Sequence, residues 1–271
     1  MTVYAEVIGD PIAHSRSPMI HGFWLEMLRI AADYRACHVT ADGMADYLAA
    51  RRQDPDWRGC NVTIPHKLAA LALADRVEPV AARIGASNCL LRQADGTLLA
   101  TNTDAAGFME PLLGHRFDTA CIIGAGGAAR AVLSALAEHG VGRVTVRNRS
   151  VDKAAALLAE FAVPGEALAL DGEGEPVDLL VNTSALGMSG QAELPAPLLD
   201  IPSRVRAGGT VYDIVYAPLE TRLLAAARAE GRVCIDGLAM LIGQAAVAFE
   251  RFFGVAAPRQ HDDDLRARLT A

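Results

Sequence analysis

Short apolar runs alternate with amphipathic segments through the first hundred residues. The apolar runs predict three strands, at Val3–Ile8, Asp33–Val39 and Gly59–Val62. The segments between and after them predict helices at Pro18–Leu28, at Met44–Arg52, from about His66 onward and at Val77–Ile84. Two further strands, Cys89–Arg92 and Thr97–Thr101, flank an Asp-Gly pair. This pair predicts an antiparallel hairpin at or near the edge of a mixed sheet.

Beyond Asn102-Thr103-Asp104 the pattern becomes a regular alternation of strand and helix. Strands are predicted at Ala120–Ile123, Arg143–Val146, Ala167–Leu170, Asp178–Val181, Thr210–Ile214 and Val233–Ile235. Helices are predicted from Ala128 to about His139, at Val151–Phe161 and at Leu219–Glu230. Strands that alternate with helices indicate a parallel, doubly wound sheet.

A long predicted helix, Leu238 to about Phe253, follows the last strand, and no further strand is predicted after it. We therefore expect it to pack back on the first domain, ahead of a polar tail that ends in a short helix. The predicted fold class is α/β with two domains. A mixed-sheet substrate domain comprises residues 1–104 plus 238–271, and a Rossmann-type domain comprises residues 105–237. Two chain crossings would join them around a cleft that closes on ligand binding.

The net charge and the hydrophobic pattern limit the classes of binding partner that are expected. The formal net charge is −7, from 25 Lys and Arg against 32 Asp and Glu, so neither nucleic acid nor an anionic membrane is an expected partner. No apolar run reaches the ~18 residues needed to cross a bilayer, and the N-terminus enters a strand without a signal peptide. We expect a cytoplasmic protein that acts on a small molecule, and the sequence leaves monomer and homodimer open.

Cysteine and histidine spacing predicts no metal site. The cysteines form no C-x-x-C pair, and most lie in apolar runs, which is typical of buried thiols rather than disulfides or metal ligands. They are Cys37, Cys60, Cys89, Cys121 and Cys234. The seven histidines do not cluster at ligand spacing either. His66 stands beside Lys67, but its side chain is expected to point elsewhere on the helix.

A glycine-rich turn joins the strand at Ala120–Ile123 to the next helix. Gly124, Gly126 and Ala129 occupy the three small positions of the G-x-G-x-x-G/A dinucleotide-binding motif. The first allows the turn, the second lets the backbone approach a pyrophosphate, and the third lets helix and strand pack closely. Glycine-rich turns are common, but the strand before this one and the helix after it favour dinucleotide binding at the helix N-terminus.

The tip of the following strand favours NADP over NAD. NAD enzymes place an acid about 20 residues beyond the glycines to accept a hydrogen bond from the ribose 2′-hydroxyl. Here the tip is Arg-Asn-Arg-Ser and the first acid is Asp152. Arg149 and Lys153, one helical turn apart, can embrace a 2′-phosphate. The alternative is that both cations are solvated and Ser150 caps the helix. Arg130 is a further candidate phosphate neighbour.

Two loops of the first domain carry hydroxyl, amide and ammonium groups. Ser15 and Ser17 stand beside a helix N-terminus, where they can hold a carboxylate, unless Ser17 only caps the helix with Pro18 at its first position. Polar side chains at the end of the third strand suit a polyhydroxylated ligand, although a lone Lys is more often a solvated helix residue. They are Asn61, Thr63 and Lys67.

Asn88 and Asp104 add an amide and a carboxylate at two further strand ends. Each alone is an ordinary turn residue. Together with the two loops above they form four polar clusters at strand termini. A Lys and an Asp that share a cleft can have their proton affinities tuned for acid–base chemistry.

These segments resemble the shikimate/quinate dehydrogenase family over nearly the whole chain. The ordered motifs are Pro11–Pro18 (PIAHSRSP), Asn61–Lys67 (NVTIPHK), Gly85–Asn88 (GASN), Asn102–Asp104 (NTD), Gly124–Arg130 (GAGGAAR), Asn148–Ser150 (NRS), Asn182–Ser184 (NTS) with Gly187-Met188, Asp213–Pro218 (DIVYAP) and Gly237–Gln244 (GLAMLIGQ). Gly22 and Cys89 depart from the family pattern, in which Asn and Thr often stand there. The resemblance implies NADP-dependent interconversion of shikimate and 3-dehydroshikimate in aromatic amino-acid biosynthesis.

The resemblance also implies roles for the substrate residues. Ser15 and Ser17 would hold the substrate carboxylate, together with the Tyr216 hydroxyl. The ring hydroxyls would be held by Asn61, Thr63, Lys67, Asn88, Asp104 and Gln244. Lys67 would take the alcohol proton during oxidation, or mainly position the substrate, while Asp104 orients the reacting hydroxyl.

The implied cofactor residues fall into three groups. The diphosphate would lie on Gly124, Ala125, Gly126, Gly127, Ala128 and Ala129, and the 2′-phosphate on Asn148, Arg149, Ser150 and Lys153. Thr183, Met188, Ile214 and Gly237 would lie near the nicotinamide, with Met240 as a further neighbour. Two alternatives stay open: a quinate/shikimate or aminoshikimate dehydrogenase, and a non-catalytic dinucleotide-binding regulatory module, which would need no Lys67–Asp104 pair.

Overall fold

The computed structural model describes residues 2–271 and divides into two compact units. One unit runs to Thr103 and resumes with Ile242–Ala271, and the other is Asp104–Leu241. Each contains one six-stranded sheet. The first domain was expected to end at residue 104, and this unit ends at Thr103. The chain was expected to return to it at residue 238, and it returns at Ile242.

The first unit has a mixed sheet with strand order β2-β1-β3-β5-β6-β4. Its elements are β1 (Val3–Gly9), α1 (Ser17–Leu28), β2 (Ala32–His38), α2 (Met44–Arg52), β3 (Trp57–Val62), α3 (Lys67–Leu73), β4 (Arg76–Val77), α4 (Pro79–Ile84), β5 (Cys89–Arg92) and β6 (Leu98–Thr101). Strands β1, β2 and β3 are parallel, whereas β5 runs antiparallel to β3 and β6. The predicted hairpin near one edge of the sheet is thus confirmed.

The predicted helix at Val77–Ile84 is wrong at its start. Val77 belongs to β4 and pairs with Ala100, and the helix begins at Pro79. Glu78 is extended, with φ −70° and ψ 150°, because a residue before proline is disfavoured in the helical region.

The second unit has an all-parallel sheet with strand order β12-β11-β10-β7-β8-β9. Its elements are α5 (Asp104–Met109), β7 (Thr119–Ile123), α6 (Gly127–Glu138), β8 (Arg143–Arg147), α7 (Val151–Phe161), β9 (Gly165–Leu168), β10 (Val177–Asn182), α8 (Ala196–Leu199), β11 (Val205–Asp213), α9 (Arg222–Ala229) and β12 (Val233–Ile235). The predicted doubly wound sheet is confirmed. The strand order reverses between β7 and β10, and ligands bind such sheets at the carboxyl ends of the strands at that point.

Some strand and helix bounds in this unit differ from the predicted ones. β9 ends at Leu168 rather than Leu170, and β11 begins at Val205 rather than Thr210. α9 begins at Arg222 because the Thr221 hydroxyl caps it, accepting from the Leu224 amide at 3.3 Å.

The chain ends in two helices, α10 (Gly237–Phe253) and α11 (Asp262–Thr270). From Ile242 onward α10 belongs to the first unit, where the Phe249 ring packs edge-on against Trp24 at 5.4 Å between centroids. The prediction that this helix returns to the first domain is confirmed. Within residues 2–271, no helix combines the length and apolar character needed to span a bilayer.

Candidate functional site

The loop after β1 brings two predicted carboxylate ligands to the start of α1. Ser17 is the first helical residue and is buried, and its backbone N–H donates to Ser15 Oγ at 3.3 Å. The alternative interpretation of Ser17 as the helix cap is wrong, since Arg16 holds the N-cap position without a side-chain cap bond. The Ser17 side chain lowers the pKa of the buried Tyr34 phenol, although burial raises that pKa by more.

The end of β3 positions the amide and hydroxyl groups of the NVTIPHK motif. Asn61 is buried, and its Oδ1 accepts from the Tyr34 hydroxyl at 2.6 Å. Thr63 leaves the strand with its backbone N–H bonded to Ile8 O at 2.9 Å. Lys67 begins α3 and is half-buried. The buried His66 ring bonds to Val39 O at 2.6 Å, in agreement with the expectation that its side chain points away from the site.

Asn88 links the third strand to the segment that carries Asp104. Its backbone oxygen accepts from Val62 N at 2.7 Å, and its Oδ1 accepts from Thr103 N, also at 2.7 Å. Its Nδ2 donates to Thr103 Oγ1 at 3.0 Å, and that hydroxyl reaches Gln244 Oε1 at 3.4 Å. Asp104 follows directly and is buried. Two residues that the sequence prediction did not include, Tyr34 and Thr103, therefore support predicted ligands.

Hydrogen bonds thus join five residues of the first unit into one network. They are Tyr34, Asn61, Asn88, Thr103 and Gln244. A set of buried amides and hydroxyls fixed to one another is chemically suited to a compact ligand with several hydroxyl groups. Tyr216 and Asp104 belong to the second unit, and their roles toward the substrate stay predictions.

The glycine-rich turn of the second unit has the geometry that a diphosphate requires. Gly124 has φ +105°, and a Cβ there would lie 2.9 Å from Thr183 Oγ1, so glycine is needed for both conformation and space. Gly126 sits at the N-cap of α6, and a Cβ there would meet nothing within 4 Å. Ala129 is fully buried, as expected of the small third position. Open space therefore faces the helix N-terminus.

The tip of β8 presents two cations. Arg149 and Lys153 are both exposed, and Asn148 Nδ2 donates to Ser150 O at 2.9 Å, which closes the turn. Ser150 does occupy the N-cap of α7, but its side chain makes no cap bond, so the expected hydroxyl cap is wrong. The exposure and the charge at this tip fit an adenosine 2′-phosphate.

Arg130, the further candidate phosphate neighbour, is engaged elsewhere. Its Nη1 donates to Glu160 Oε2 at 2.8 Å, and its guanidinium lies 5.5 Å from the centre of the Phe161 ring. Arg130 is thus paired with Glu160, and its role toward a phosphate stays a prediction.

Buried polar groups fix the ends of β10 and β11, where nicotinamide neighbours were expected. Asp213 Oδ1 accepts from Asn182 Nδ2 at 2.9 Å and from Val215 N at 3.0 Å, and Oδ2 accepts from the Thr221 hydroxyl at 2.7 Å. Burial raises the pKa of Asp213 above its ordinary 3.8, against the opposing effect of these three donors. Thr183 Oγ1 donates to Ile123 O at 2.7 Å, which ties the end of β10 to β7.

The remaining predicted nicotinamide neighbours differ in exposure. A Cβ on Gly237 would lie 2.4 Å from both Ile214 O and Val215 O. The first residue of α10 can therefore pack against the segment that follows β11 only if it is glycine. Met188 and Ile214 are half-buried, whereas Met240 is 7% exposed. Met240 therefore has largely the character of a core residue.

Neither metal ligands nor disulfides contribute to the described site. Within residues 2–271, no three His, Cys, Asp or Glu side chains are grouped so that they could hold a metal ion. All five cysteines are free thiols. Cys60, Cys89 and Cys121 are buried, as expected, while Cys37 and Cys234 are partly exposed.

Three segments of the chain match family profiles. Residues 7–90 match the shikimate dehydrogenase substrate binding domain, residues 112–175 match shikimate / quinate 5-dehydrogenase, and residues 237–261 match the shikimate 5′-dehydrogenase C-terminal domain. A curated relative, shikimate dehydrogenase (NADP(+)) of Sphingopyxis alaskensis, is 55% identical over 270 residues, covering 99% of this chain and 97% of the relative.

Two solved structures are similar over nearly their whole length. Shikimate 5-dehydrogenase from Thermus thermophilus, in complex with NADP(H) and shikimate, has a TM-score of 0.87 and 36% identity, covering 99% of this chain and 100% of that one. Quinate dehydrogenase from Corynebacterium glutamicum, in complex with NAD, has a TM-score of 0.86 and 30% identity, covering 98% and 99%.

Proposed function

The chain belongs to the shikimate dehydrogenase family, and we propose that it catalyses the reversible, NADP-dependent oxidation of shikimate to 3-dehydroshikimate in aromatic amino-acid biosynthesis. The observation that carries the proposal is 55% identity, over 99% of the chain, to an NADP-dependent shikimate dehydrogenase. The hydrogen-bonded amides and hydroxyls of the first unit and the exposed cations of the second support it independently.

The choice of NADP rests on the tip of β8. Asn148, Arg149 and Ser150 form a turn and Lys153 lies in the first turn of α7, so that two exposed cations stand where an NAD enzyme would carry an acid toward the ribose 2′-hydroxyl. Arg149 offers a planar fork and Lys153 a point charge, and both complement a phosphate dianion. When bound, NADP supplies the acceptor for the hydride that leaves the carbinol carbon.

The substrate would bind through complementary polar groups. Ser15 and Ser17, beside the N-terminus of α1, supply hydroxyl donors for the carboxylate, with the Tyr216 hydroxyl as a third donor. Neutral donors at a helix N-terminus can hold an anion without a cation. The amides and hydroxyls that would hold the ring hydroxyls are those of Asn61, Thr63, Asn88 and Gln244.

Lys67 and Asp104 would carry out the proton chemistry. Oxidation of an alcohol removes a hydride from carbon and a proton from oxygen, so a group must accept that proton as the carbonyl forms. Lys67 takes the proton at Nζ during oxidation and returns it during reduction. Asp104 accepts a hydrogen bond from the reacting hydroxyl and orients it toward the lysine. Asn88 holds the Thr103 amide at 2.7 Å, and this bond fixes the backbone directly before Asp104.

A substrate panel tests the proposal. The purified chain is mixed with shikimate, quinate or aminoshikimate, each with NADP and with NAD, and reduced nicotinamide is followed by absorbance. We expect the highest kcat/KM with shikimate and NADP. Preferred turnover of quinate or aminoshikimate would replace the substrate assignment with a sister specificity. Absence of turnover with every pair would favour a dinucleotide-binding regulatory module.

A further inference from the structure

Tyr34 occupies a central place in the substrate-side network, although no motif of the chain includes it. Its hydroxyl donates to Asn61 Oδ1 at 2.6 Å. The phenol is 5% exposed. Burial raises its pKa well above the ordinary 10.0, so it keeps the proton that it donates. The phenol is therefore a proton donor to one predicted ring-hydroxyl ligand, Asn61.

The sheet register explains how Tyr34 reaches across a strand. Tyr34 on β2 is paired with Ala5 on β1, and Asn61 on β3 is paired with Val7. Ala5 and Val7 are two residues apart, so all four side chains lie on one face of the sheet. The two outer strands are about 9–10 Å apart, a span suited to a tyrosine but not to a shorter side chain. Ala5, with only a methyl group, leaves room for the ring above β1.

One face of the Tyr34 ring is covered by a histidine. His21 on α1 stacks on it with 3.8 Å between centroids and 3° between planes. Within residues 2–271, neither ring nitrogen of the buried His21 has a hydrogen-bond partner, and burial lowers its pKa to about 3. His21 is therefore a neutral, flat cover that holds the phenol in its plane.

The contact with Tyr34 determines which end of the Asn61 amide is available. With Oδ1 engaged, Asn61 offers the N–H groups of Nδ2, one of which makes a long 3.4 Å bond to Asn88 O. A rotated amide would instead present a carbonyl oxygen, which accepts from a ligand hydroxyl but cannot donate to it.

We propose that Tyr34 is a positioning residue for shikimate, which orients the Asn61 amide so that its nitrogen donates to the substrate. This inference rests on the proposed function. Tyr34 touches no reacting atom, so its loss weakens substrate binding and leaves proton and hydride transfer unaltered. A lost neutral hydrogen bond corresponds to about a tenfold change in binding.

The test compares Tyr34→Phe with Tyr4→Phe. Tyr4 is a matched control, because its hydroxyl also makes a 2.6 Å bond in the same sheet, but to Asp54. We expect Tyr34→Phe to raise KM for shikimate about tenfold, with kcat and KM for NADP changed less than about twofold. Tyr4→Phe should leave all three near wild type. Thermal unfolding checks that both variants are folded.

A double-mutant cycle separates positioning from a general structural effect. In an Asn61→Ala background, Tyr34→Phe should raise KM much less than it does in the wild type, because the orientation it controls is already lost. Additive effects of the two substitutions on KM, or an unchanged KM in Tyr34→Phe, would overturn the inference about Tyr34. Turnover by the wild type would still support the proposed function in that case. An inactive wild type would instead contradict the proposed function itself.

Discussion

At the scale of single residues, lysine is rare and arginine supplies most of the positive charge. The chain has 25 Lys and Arg in total, of which Lys67 and Lys153 are the two lysines. Arginine serves at every other cationic position, including the surface pairs with carboxylates. Both lysines lie in predicted ligand motifs. A guanidinium cannot release its proton in a protein, whereas an ammonium can, so replacement of each lysine by arginine distinguishes proton transfer from charge alone.

Lys67→Arg should lower kcat with shikimate about 10³-fold, the middle of the range for loss of a general base. Lys153→Arg should keep kcat and KM for NADP within about threefold, because a 2′-phosphate needs a cation and not a proton acceptor. Steady-state kinetics of the two purified variants gives the comparison. Near-full turnover in Lys67→Arg would remove Lys67 from the proton-transfer role and leave it a positioning group.

The sequence predicted residue identities better than residue environments. The motifs located Ser17, Asn61 and Asn88 correctly at strand and helix ends. They could not predict that Asn61 bonds to Tyr34, because that contact depends on the register between β1, β2 and β3. In β2, the burial pattern singles out Tyr34 as an inward residue among exposed neighbours, but the partner of its hydroxyl is a tertiary property.

At the scale of elements, two strand–turn–helix segments carry the residues that are predicted to bind NADP. The first, β7–α6, presents an open N-terminus at Gly126, and the second, β8–α7, presents Arg149 and Lys153. Their existence follows from local signals: apolar strands, glycines at fixed spacing and a run of helix formers. Their bounds were predicted to within a few residues. The sequence did not predict that the Ser150 hydroxyl makes no cap bond, since a serine can occupy the N-cap position without using its hydroxyl.

Gly126→Ala tests whether the space before α6 is used by a ligand. A Cβ there meets no protein atom within 4 Å, so the variant should fold with wild-type thermal stability. We expect its Kd for NADPH to rise at least tenfold, because the methyl group would occupy the path of the diphosphate. Fluorescence titration measures the affinity.

Gly22→Ala is the control for this substitution, because a Cβ on Gly22 of α1 is equally unobstructed. It should leave NADPH affinity unchanged and stabilise the protein by about 0.5–1 kcal/mol, since Gly within a helix is less favourable than Ala. Unchanged NADPH binding in Gly126→Ala would contradict the diphosphate assignment.

Arg149→Ala should weaken NADPH at least tenfold and NADH less than about twofold, because only NADPH carries the phosphate that a charge-assisted hydrogen bond can recognise. Arg143→Ala, at the opposite end of β8, removes an exposed arginine that lies 3.6 Å from Glu166. This control should change neither affinity. Paired kinetics with both cofactors is the measurement, and an equal loss for NADPH and NADH would exclude Arg149 from the 2′-phosphate site.

At the scale of the whole molecule, the first unit contains a buried carboxylate that is bound by two arginines and a tyrosine. A buried carboxylate, Glu6 on β1, is 1% exposed and accepts from Arg51 at 2.7 and 3.0 Å, Tyr47 at 2.7 Å and Arg35 at 3.2 Å. Burial alone would raise the pKa of Glu6, but the hydrogen bonds from Arg51 and Tyr47 and the charge of Arg51 lower it below 4.5. The ionised form thus stabilises the first unit.

This shift predicts acid sensitivity of the first unit. A carboxyl whose folded-state pKa lies below its unfolded value contributes fully above the unfolded value, and the contribution is lost as pH falls through the folded one. Glu6→Gln should lower the free energy of unfolding at pH ~7 by about 3 kcal/mol, near the lower end for a broken buried pair, since Arg35 and Arg51 stay partly exposed. The difference from wild type should shrink as pH falls below 4.5.

Urea unfolding followed by tryptophan fluorescence reports on this unit, because both tryptophans, Trp24 and Trp57, are buried within it. Glu26→Gln is the control, since the carboxylate of Glu26 is 69% exposed in its pair with Arg268. It should change stability by less than about 0.5 kcal/mol. A Glu6→Gln difference that is constant with pH would show that Glu6 acts through packing and not through its charge.

The division of the chain into a mixed-sheet unit and a parallel-sheet unit was visible in the sequence. The hairpin signal marks the first unit, and regular strand–helix alternation marks the second. The Glu6 network was not visible, because Tyr47 and Arg51 come from α2 and Arg35 from β2. Only the packing of these elements brings their donors to one carboxylate.

The most direct test of the assigned reaction follows the hydride itself. Shikimate carrying deuterium on the carbinol carbon that becomes the ketone is incubated with the purified chain and NADP, and the reduced cofactor is analysed by mass spectrometry. We predict one deuterium in each molecule of reduced NADP, with 3-dehydroshikimate formed in equal amount. Reduced NADP without deuterium, or no reduced NADP at all, would contradict the assignment.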